Sequence, residues 1–211
     1  MLYLGIRKGI GSFLCQSAYA LLLSQKANHM NISLPKLLDQ AWGLLEEGQA
    51  DGQSPFRLMS LATVDREGQP QARHVVLRGV DRAGENLEFH TDIGSSKCAE
   101  LQANPQAQLL FWDPDRAIQL RLHARIALRQ DAHRDAQWQN VPGPSQIAYG
   151  KTPRTGLAIR DAFAYALTPS KSQFMVCSCA VQKLEVLSLK EQHFRAVFQA
   201  DDRWAGTWLS P

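Results

Sequence analysis

The spacing of hydrophobic residues changes once along the chain, from a helical period to an alternating one. Ser33 is a suitable helix N-cap, and Pro35 fits the first turn that follows it. Beyond them, apolar residues recur every three or four positions, which predicts an amphipathic helix. Its buried face would carry Leu37, Leu38, Trp42, Leu44 and Leu45.

After a polar linker at 48–55, alternating apolar and polar residues predict a series of strands. Turns containing Gly68 and Gly84 join the first three strands into a meander, and Asp113-Pro114-Asp115 joins a later pair. The predicted strands cover residues 57–64, 71–80, 87–91, 106–112, 117–128, 172–188 and 192–199, and a short aromatic segment at 204–209 closes the chain.

Helical and irregular segments interrupt these strands. A short helix is predicted from Ser95 to Leu101, with Asn104-Pro105 as its stop signal. Residues 131–140 are polar and compatible with a helix, and residues 141–160 are rich in Pro, Gly and Thr, which predicts a long ordered loop or lid. The whole pattern predicts a mainly β fold with flanking helices, and it favours an antiparallel barrel of six to eight strands.

The first 29 residues differ from the rest of the chain. A mostly apolar stretch at 9–23 follows two basic residues, as in a signal peptide. However, Gln16 and Ser17 interrupt it, and it is shorter than the roughly 20 residues that span a bilayer. We therefore expect residues 1–29 to be an extension outside the fold, residues 30–211 to form one domain, and no membrane partner.

Charge and cysteine content exclude several classes of protein. The formal net charge is +3 and the Lys and Arg residues are scattered, so we expect no nucleic-acid partner. A few converging cations could still bind one small phosphorylated ligand. The four cysteines form no C-x-x-C pair, which predicts reduced thiols, no metal site and a cytoplasmic protein. Cys177 and Cys179 are expected to be buried on one face of a strand.

Two segments carry candidate binding chemistry. Arg73 and Arg78 lie in one apolar strand, five residues apart and therefore on opposite faces, although either could reach water from an edge. In the second segment a strand ends at His90-Thr91-Asp92, and Gly94-Ser95-Ser96-Lys97 opens a helix. Free N–H groups and the positive end of a helix dipole favour an anion there. Serine caps on ordinary helices are far commoner than phosphate sites, so this junction alone does not establish one.

Together the two segments resemble the FMN-binding core of the pyridoxamine 5'-phosphate oxidase family, and the similarity extends from about Phe56 to Pro211. The resemblance implies an FMN-binding, homodimeric, antiparallel split β-barrel with the flavin at the subunit interface. It rests on Leu61-Ala62-Thr63-Val64-Asp65, Gly68-Gln69-Pro70, Arg73 to Arg78, Phe89 to Lys97, Asn104-Pro105, Leu109-Leu110-Phe111, Gln119 and the closing Trp204, Leu209 and Pro211.

The resemblance also implies roles for individual residues. Arg73 and Lys97 would contact the FMN phosphate, Gln119 would reach the polar edge of the flavin, and Arg195 would meet the cofactor from the partner subunit. Arg78 and His193 would be catalytic, and Ser145 and His193 would bind substrate. The full cofactor-binding set implied is Arg73, Val75, Val76, Leu77, Arg78, His90, Thr91, Ser96, Lys97, Gln119 and Arg195.

Some positions on the cofactor side depart from the family pattern. Arg78 stands where the family usually has a lysine, so the cation is kept with a different geometry. Ser96 replaces an arginine, which removes one pair of phosphate donors, and Leu187 replaces a tryptophan that usually covers the flavin.

Departures on the substrate side go further. The tyrosine and arginine that grip the substrate phosphate in the family fall at Gln137 and Val141, which leaves only Ser145. His193 is kept, but the arginine two residues before it is replaced by Glu191, which reverses the local charge. These changes argue against pyridoxamine phosphate as the substrate.

The resemblance therefore implies an FMN-dependent oxidoreductase that acts on an unidentified small molecule. Two alternatives stay open: pyridoxamine or pyridoxine 5'-phosphate oxidation itself, and a non-enzymatic protein that binds or carries flavin. The sequence does not distinguish FMN from a deazaflavin.

Overall fold

The computed structural model describes residues 32–211, so the predicted extension at 1–29 lies outside the described residues. Its helices are α1 (Leu34–Ala50), α2 (Ser96–Ala103), α3 (Ala132–Asn140) and α4 (Gly143–Gln146). Its strands are β1 (Leu58–Val64), β2 (Pro70–Asp81), β3 (Asn86–Asp92), β4 (Gln106–Asp113), β5 (Ile118–Arg129), β6 (Lys151–Thr152), β7 (Ala166–Leu167), β8 (Phe174–Ser188), β9 (Phe194–Gln199) and β10 (Thr207–Leu209). Within residues 32–211, no helix is both long and apolar enough to cross a bilayer.

Eight of these strands form one antiparallel sheet that closes on itself. The sheet order is β10-β9-β8-β3-β2-β1-β4-β5, and β5 also pairs with β8. This last pairing closes six strands into a barrel, and β9 and β10 extend from β8. Strand β8 spans 15 residues and pairs with β5 along most of its length, while its first half pairs with β3 and its second half with β9. The predicted mainly β fold with an antiparallel barrel is confirmed.

Helix α1 packs against the barrel through the predicted apolar stripe. Leu37, Trp42 and Leu45 are buried in the main core, and the Trp42 ring meets the Trp204 ring edge-on with centroids 6.4 Å apart. Ser33 occupies the N-cap position, but its hydroxyl makes no capping hydrogen bond. Only its backbone carbonyl contributes, by accepting from the Leu37 amide at 2.9 Å.

The segment after β5 is more ordered than a simple loop. It contains the predicted helix, α3, and then α4 and a two-stranded hairpin of β6 and β7. The segment packs on the outside of the barrel through a second apolar cluster, against which Trp138 near the end of α3 is partly buried. The cluster contains Trp138, Val141, Tyr149, Phe174 and Val176.

The cysteines of the described chain are free thiols inside the protein. Cys98, Cys177 and Cys179 are all buried, and the last two lie on the inner face of β8 as predicted. Burial raises the pKa of both β8 thiols far above the usual range. They are therefore protonated at neutral pH and behave as small apolar groups of the core.

Candidate functional site

The first part of the candidate site joins β1, β2 and α2 through an arginine. Arg73 Nη2 donates to Glu100 Oε2 at 2.7 Å, and Arg73 Nη1 donates to the Thr63 hydroxyl. Thr63 in turn donates to Glu100 Oε2 at 2.5 Å. The Glu100 and Thr63 side chains are buried, whereas part of the Arg73 side chain remains accessible. Arg73 is thus oriented toward the first turns of α2.

The second part is the junction between β3 and α2, where Lys97 is held by hydroxyl groups. Lys97 Nζ donates to Thr91 Oγ1 at 3.1 Å, and Thr91 Oγ1 lies 3.2 Å from Ser95 Oγ. Ser95 precedes α2, and its backbone amide donates to the carbonyl of Asp92. The first amide groups of a helix have no acceptor inside the helix, so this junction presents both N–H groups and an ammonium group.

Electrostatics link the two parts. Burial lowers the pKa of the Lys97 ammonium, and the positive charge of Arg73 acts in the same direction. Burial alone would raise the pKa of the Glu100 carboxyl, but hydrogen bonds from Thr63, Arg73 and Ser96 outweigh it and hold the pKa below its usual range. The site therefore combines the Arg73 guanidinium and the Lys97 amino group with a Glu100 carboxylate that its hydrogen bonds keep ionised at neutral pH.

A cavity of about 380 Å³ lies beside this group, between the β1–β2 turn and α2. Arg73 and Lys97 are not among its lining residues, so the cavity borders the cations and does not enclose them. It is lined by Asp65, Arg66, Glu67, Gln71, Ser96, Ala99 and Glu100.

Other predicted cofactor residues in β2 and β3 divide between two faces. The Val75 and Leu77 side chains are buried in the core. Because side chains alternate along a strand, those of Val76 and Arg78 point to the outer face of β2. The His90 imidazole lies on the face of β3 opposite Thr91, where its Nε2 atom pairs with Glu88 Oε1 at 2.9 Å. Any contact of His90 with a ligand near Lys97 would therefore come from its backbone.

A row of side chains crosses the outer face of the barrel from β4 to β10. The strand registers place Gln119 opposite Trp112 on one side and opposite Leu187 on the other, and Arg195 lies between Leu187 and Leu209. Trp112 and Leu209 are exposed. The structure thus brings together two predicted cofactor residues, Gln119 and Arg195, on either side of the position where the family has a tryptophan.

Glu185 organises the cations of this outer face. Its Oε2 atom accepts hydrogen bonds from Arg121 Nη2 at 2.7 Å and from Arg195 Nη2 at 3.0 Å. Burial alone would raise the pKa of the Glu185 carboxyl. These contacts keep the pKa of Glu185 below its usual range. The Nε atom of Arg195 is buried and has no hydrogen-bond partner among residues 32–211. It is a donor left available for an acceptor from a ligand or another chain.

The three remaining predicted residues are exposed. Arg78 faces outward on β2. Burial lowers the pKa of the neighbouring Arg57 guanidinium, and the positive charge of Arg78 adds a smaller effect in the same direction. Ser145 lies on α4, and His193 lies in the turn between β8 and β9. Neither Ser145 nor His193 makes a side-chain hydrogen bond within the described chain. The single chain therefore does not assemble them into a substrate pocket.

The donor set fits an anionic cofactor such as FMN. A guanidinium, an ammonium and two hydroxyl groups lie along α2 and the junction before it, and Arg195 Nε, which has no partner within residues 32–211, supplies a further donor on the outer face. One group disfavours an anion at this site, because the Glu100 carboxylate already forms an ion pair with Arg73. Sequence reasoning gave no role to Thr63, Glu100 or Glu185. The three-residue spacing of Lys97 and Glu100 on α2 was the one signal that could have revealed Glu100.

The fold is a closed six-stranded antiparallel barrel with a cationic strand–helix junction, and sequence comparison identifies the family to which the chain belongs. Residues 48–175 match the sequence profile described as pyridoxamine 5'-phosphate oxidase. The chain belongs to the pyridoxamine 5'-phosphate oxidase family. A relative from Nitrobacter hamburgensis named pyridoxine/pyridoxamine 5'-phosphate oxidase is 33% identical over 147 residues, which cover 69% of this chain and 67% of the relative.

Solved structures share the fold at low sequence identity. A pyridoxamine 5'-phosphate oxidase-related, FMN-binding protein from Nostoc punctiforme superposes with a TM-score of 0.67 at 23% identity, covering 82% of this chain and 96% of that protein. PhzG from Burkholderia lata, solved in complex with tetrahydrophenazine-1-carboxylic acid, superposes with a TM-score of 0.65 at 18% identity. The superposition covers 87% of this chain and 95% of PhzG. These similarities establish the fold.

Proposed function

We propose that this protein binds FMN and acts as an oxidoreductase on a small molecule, as a homodimer with the flavin at the subunit interface. The observation that carries the proposal is the placement of Arg73 and Lys97 around the first turns of α2. FMN, when bound, would supply the redox chemistry by accepting a hydride equivalent from the substrate. The protein's own residues would bind the cofactor, orient it and supply charge.

Each part of the flavin would have a distinct set of partners. Arg73, Lys97, Thr91 and the hydroxyl of Ser96 would hold the phosphate. The backbone of β2 at Val75 to Leu77 would line the ring, because the side chains of Val75 and Leu77 are turned into the core. Gln119 and Arg78 would provide a polar and a positive environment for the ring.

The outer face of the barrel supports the proposed dimer. Trp112, Leu58 and Leu209 are exposed apolar side chains on strands of the same sheet. Arg195 Nε is a buried donor without an acceptor in its own chain. A second copy seated on this face would cover the apolar residues and bring Arg195 to the flavin of its partner.

The substrate is proposed to lack the phosphate group of pyridoxamine phosphate. Val141, where the family has a phosphate-binding arginine, is buried in the outer apolar cluster and offers no polar group. Glu191 is exposed beside His193 and would repel an anion there. PhzG, which has the same fold, was solved with a tricyclic carboxylic acid, so the fold accommodates ligands other than pyridoxine derivatives.

Oxygen consumption by the FMN-loaded protein tests the oxidoreductase proposal. Turnover of any one donor from a panel of dihydroaromatic compounds and amines would support it. The Arg78→Ala variant should then show slower reduction of the flavin at unchanged FMN affinity. Flavin binding with no reduction by any donor would favour the second candidate, a flavin carrier, which the exposed and unpaired Ser145 and His193 support.

Pyridoxine phosphate oxidation is the third candidate, and the name of the Nitrobacter hamburgensis relative favours it. Formation of pyridoxal phosphate from low concentrations of pyridoxine phosphate, followed by its absorbance, would establish it. The burial of Val141 predicts no saturable turnover at those concentrations.

A further inference from the structure

The Glu100 carboxylate forms an ion pair with Arg73, which is the cation best placed to bind a phosphate. Its Oε2 atom accepts from both Arg73 Nη2 and Thr63 Oγ1, and only 7% of the side chain is exposed. Lys97 lies one turn before it on the same helix. Counting Arg73, Lys97 and Glu100 gives a net charge of +1 around the start of α2.

A phosphate monoester carries about −1.5 to −2 charges at pH 7 and recruits guanidinium groups by paired hydrogen bonds. The Glu100 carboxylate makes the same kind of contact with Arg73 from within the protein. Because this carboxylate is buried, solvent and salt screen it weakly. A phosphate approaching Arg73 therefore meets a fixed negative charge and must share or displace it.

On the cavity side, Glu100 has no favourable place to move. The neighbouring cavity is lined by two further carboxylates, Asp65 and Glu67, against the single cation Arg66. Turning Glu100 toward that cavity would separate it from Arg73 and Thr63 and bring it closer to like charges.

We propose that Glu100 is a specificity-determining residue that weakens the preference of this site for phosphate-bearing flavin, by competing with the FMN phosphate for Arg73. The proposal rests on the proposed function, because it concerns the same flavin site. It implies that FMN is bound only modestly more tightly than riboflavin, which has the same ring and no phosphate.

The test is a pair of titrations, with FMN and with riboflavin, of the cofactor-free full-length protein and its variants, followed by quenching of flavin fluorescence. The measured quantity is the ratio of the riboflavin Kd to the FMN Kd. Glu100→Gln keeps the shape and can still accept hydrogen bonds, and Glu100→Ala removes the group. Glu47→Gln is the matched control, because it alters another Glu–Arg ion pair, with Arg116, outside the site.

The ratio is expected to rise by about tenfold in Glu100→Gln, mainly through a lower FMN Kd, and to stay at the wild-type value in Glu47→Gln. Should the Gln variant not fold, as judged by circular dichroism, the Ala variant decides by the same criterion. An unchanged or lower ratio in the folded Glu100 variant would overturn the proposal while leaving flavin binding intact. Failure of the wild-type protein to bind either flavin would instead contradict the proposed function.

Discussion

Arg73 on β2 and Glu100 on α2 form an ion pair with 2.7 Å between Nη2 and Oε2, although they lie 27 positions apart in the chain. Glu100 also accepts a hydrogen bond from the Thr63 hydroxyl on β1. The two contacts together fix α2 relative to β1 and β2. Arg73 therefore ties α2 to the barrel, and in the proposed function the same guanidinium would also bind the ligand phosphate.

Replacing Arg73 by Ala should lower both stability and FMN affinity. Removal of one partner leaves the buried Glu100 carboxylate unpaired, which costs about 3 kcal/mol of unfolding free energy for a pair of this burial. The free energy is measured by urea denaturation of the cofactor-free protein.

Two further variants separate the causes. The double variant Arg73→Ala with Glu100→Ala should recover much of the lost stability, because the unpaired charge is gone. Arg82→Ala breaks an exposed ion pair with Asp39 and should cost less than about 1 kcal/mol. Equal losses in Arg73→Ala and Arg82→Ala would show that the Arg73 pair is not a buried interaction.

Lys97→Ala should weaken FMN binding while leaving riboflavin binding nearly unchanged. The ammonium is proposed to contact only the phosphate, and a charge-assisted hydrogen bond of about 1.5–3 kcal/mol corresponds to a tenfold to hundredfold higher Kd. Fluorescence titration measures both ligands, and Lys36→Ala on the exposed face of α1 is the control. An equal loss of affinity for the two flavins would place Lys97 away from the phosphate.

Acid should weaken the attachment of α3 to the barrel through Glu88. Burial alone would raise the pKa of this carboxyl, but hydrogen bonds from His90 and His133 outweigh it and lower the pKa below the ordinary value. A carboxyl whose pKa is lower in the folded state stabilises the fold above its unfolded pKa of about 4.3, and the contribution is lost as pH falls through the folded pKa.

Thermal unfolding of wild type and Glu88→Gln across pH 2 to pH 7 is the measurement. The wild-type advantage should be largest near neutral pH and shrink below about pH 4. Glu46→Gln, at an exposed position of α1, serves as the comparison. A difference between wild type and Glu88→Gln that is constant over the whole range would rule out this role for the carboxylate.

Trp112→Glu should disrupt the proposed dimer and reduce flavin binding together. Trp112 is exposed in the same cross-strand row as Gln119, and a charge placed there would be buried without a partner by a second copy. Molar mass from light scattering and FMN affinity are measured on the same sample. Phe163→Glu, in the exposed segment after β6, is the control and should leave both unchanged. A variant that stays dimeric would place the interface elsewhere.

Local patterns predicted the fold well because the strands of a barrel have one buried and one exposed face. Alternation along β5, for example, separates the inward Leu120 and Leu122 from the outward Gln119 and Arg121. The same rule places His90 and Thr91 on opposite faces of β3, so the sequence could have shown that both side chains do not reach one ligand. The hairpin within 141–173 was not predicted, because its two strands have only two residues each and carry no periodic signal.

The ion pairs of the site could not be read from the sequence in the same way. Glu100 meets Arg73, and Glu185 meets Arg121, only because barrel closure and helix packing bring distant segments together. Charge patterns within one helix or strand carry no information about such partners. The cations of the site were therefore predicted, and the carboxylates that hold them were not.

The visible absorption spectrum of the purified protein, combined with mass analysis of the compound released on denaturation, determines whether the protein binds FMN. We expect flavin bands and the mass of FMN, at about one molecule per chain once the protein is supplied with FMN. A protein that shows no flavin absorption and does not retain added FMN after gel filtration would contradict it.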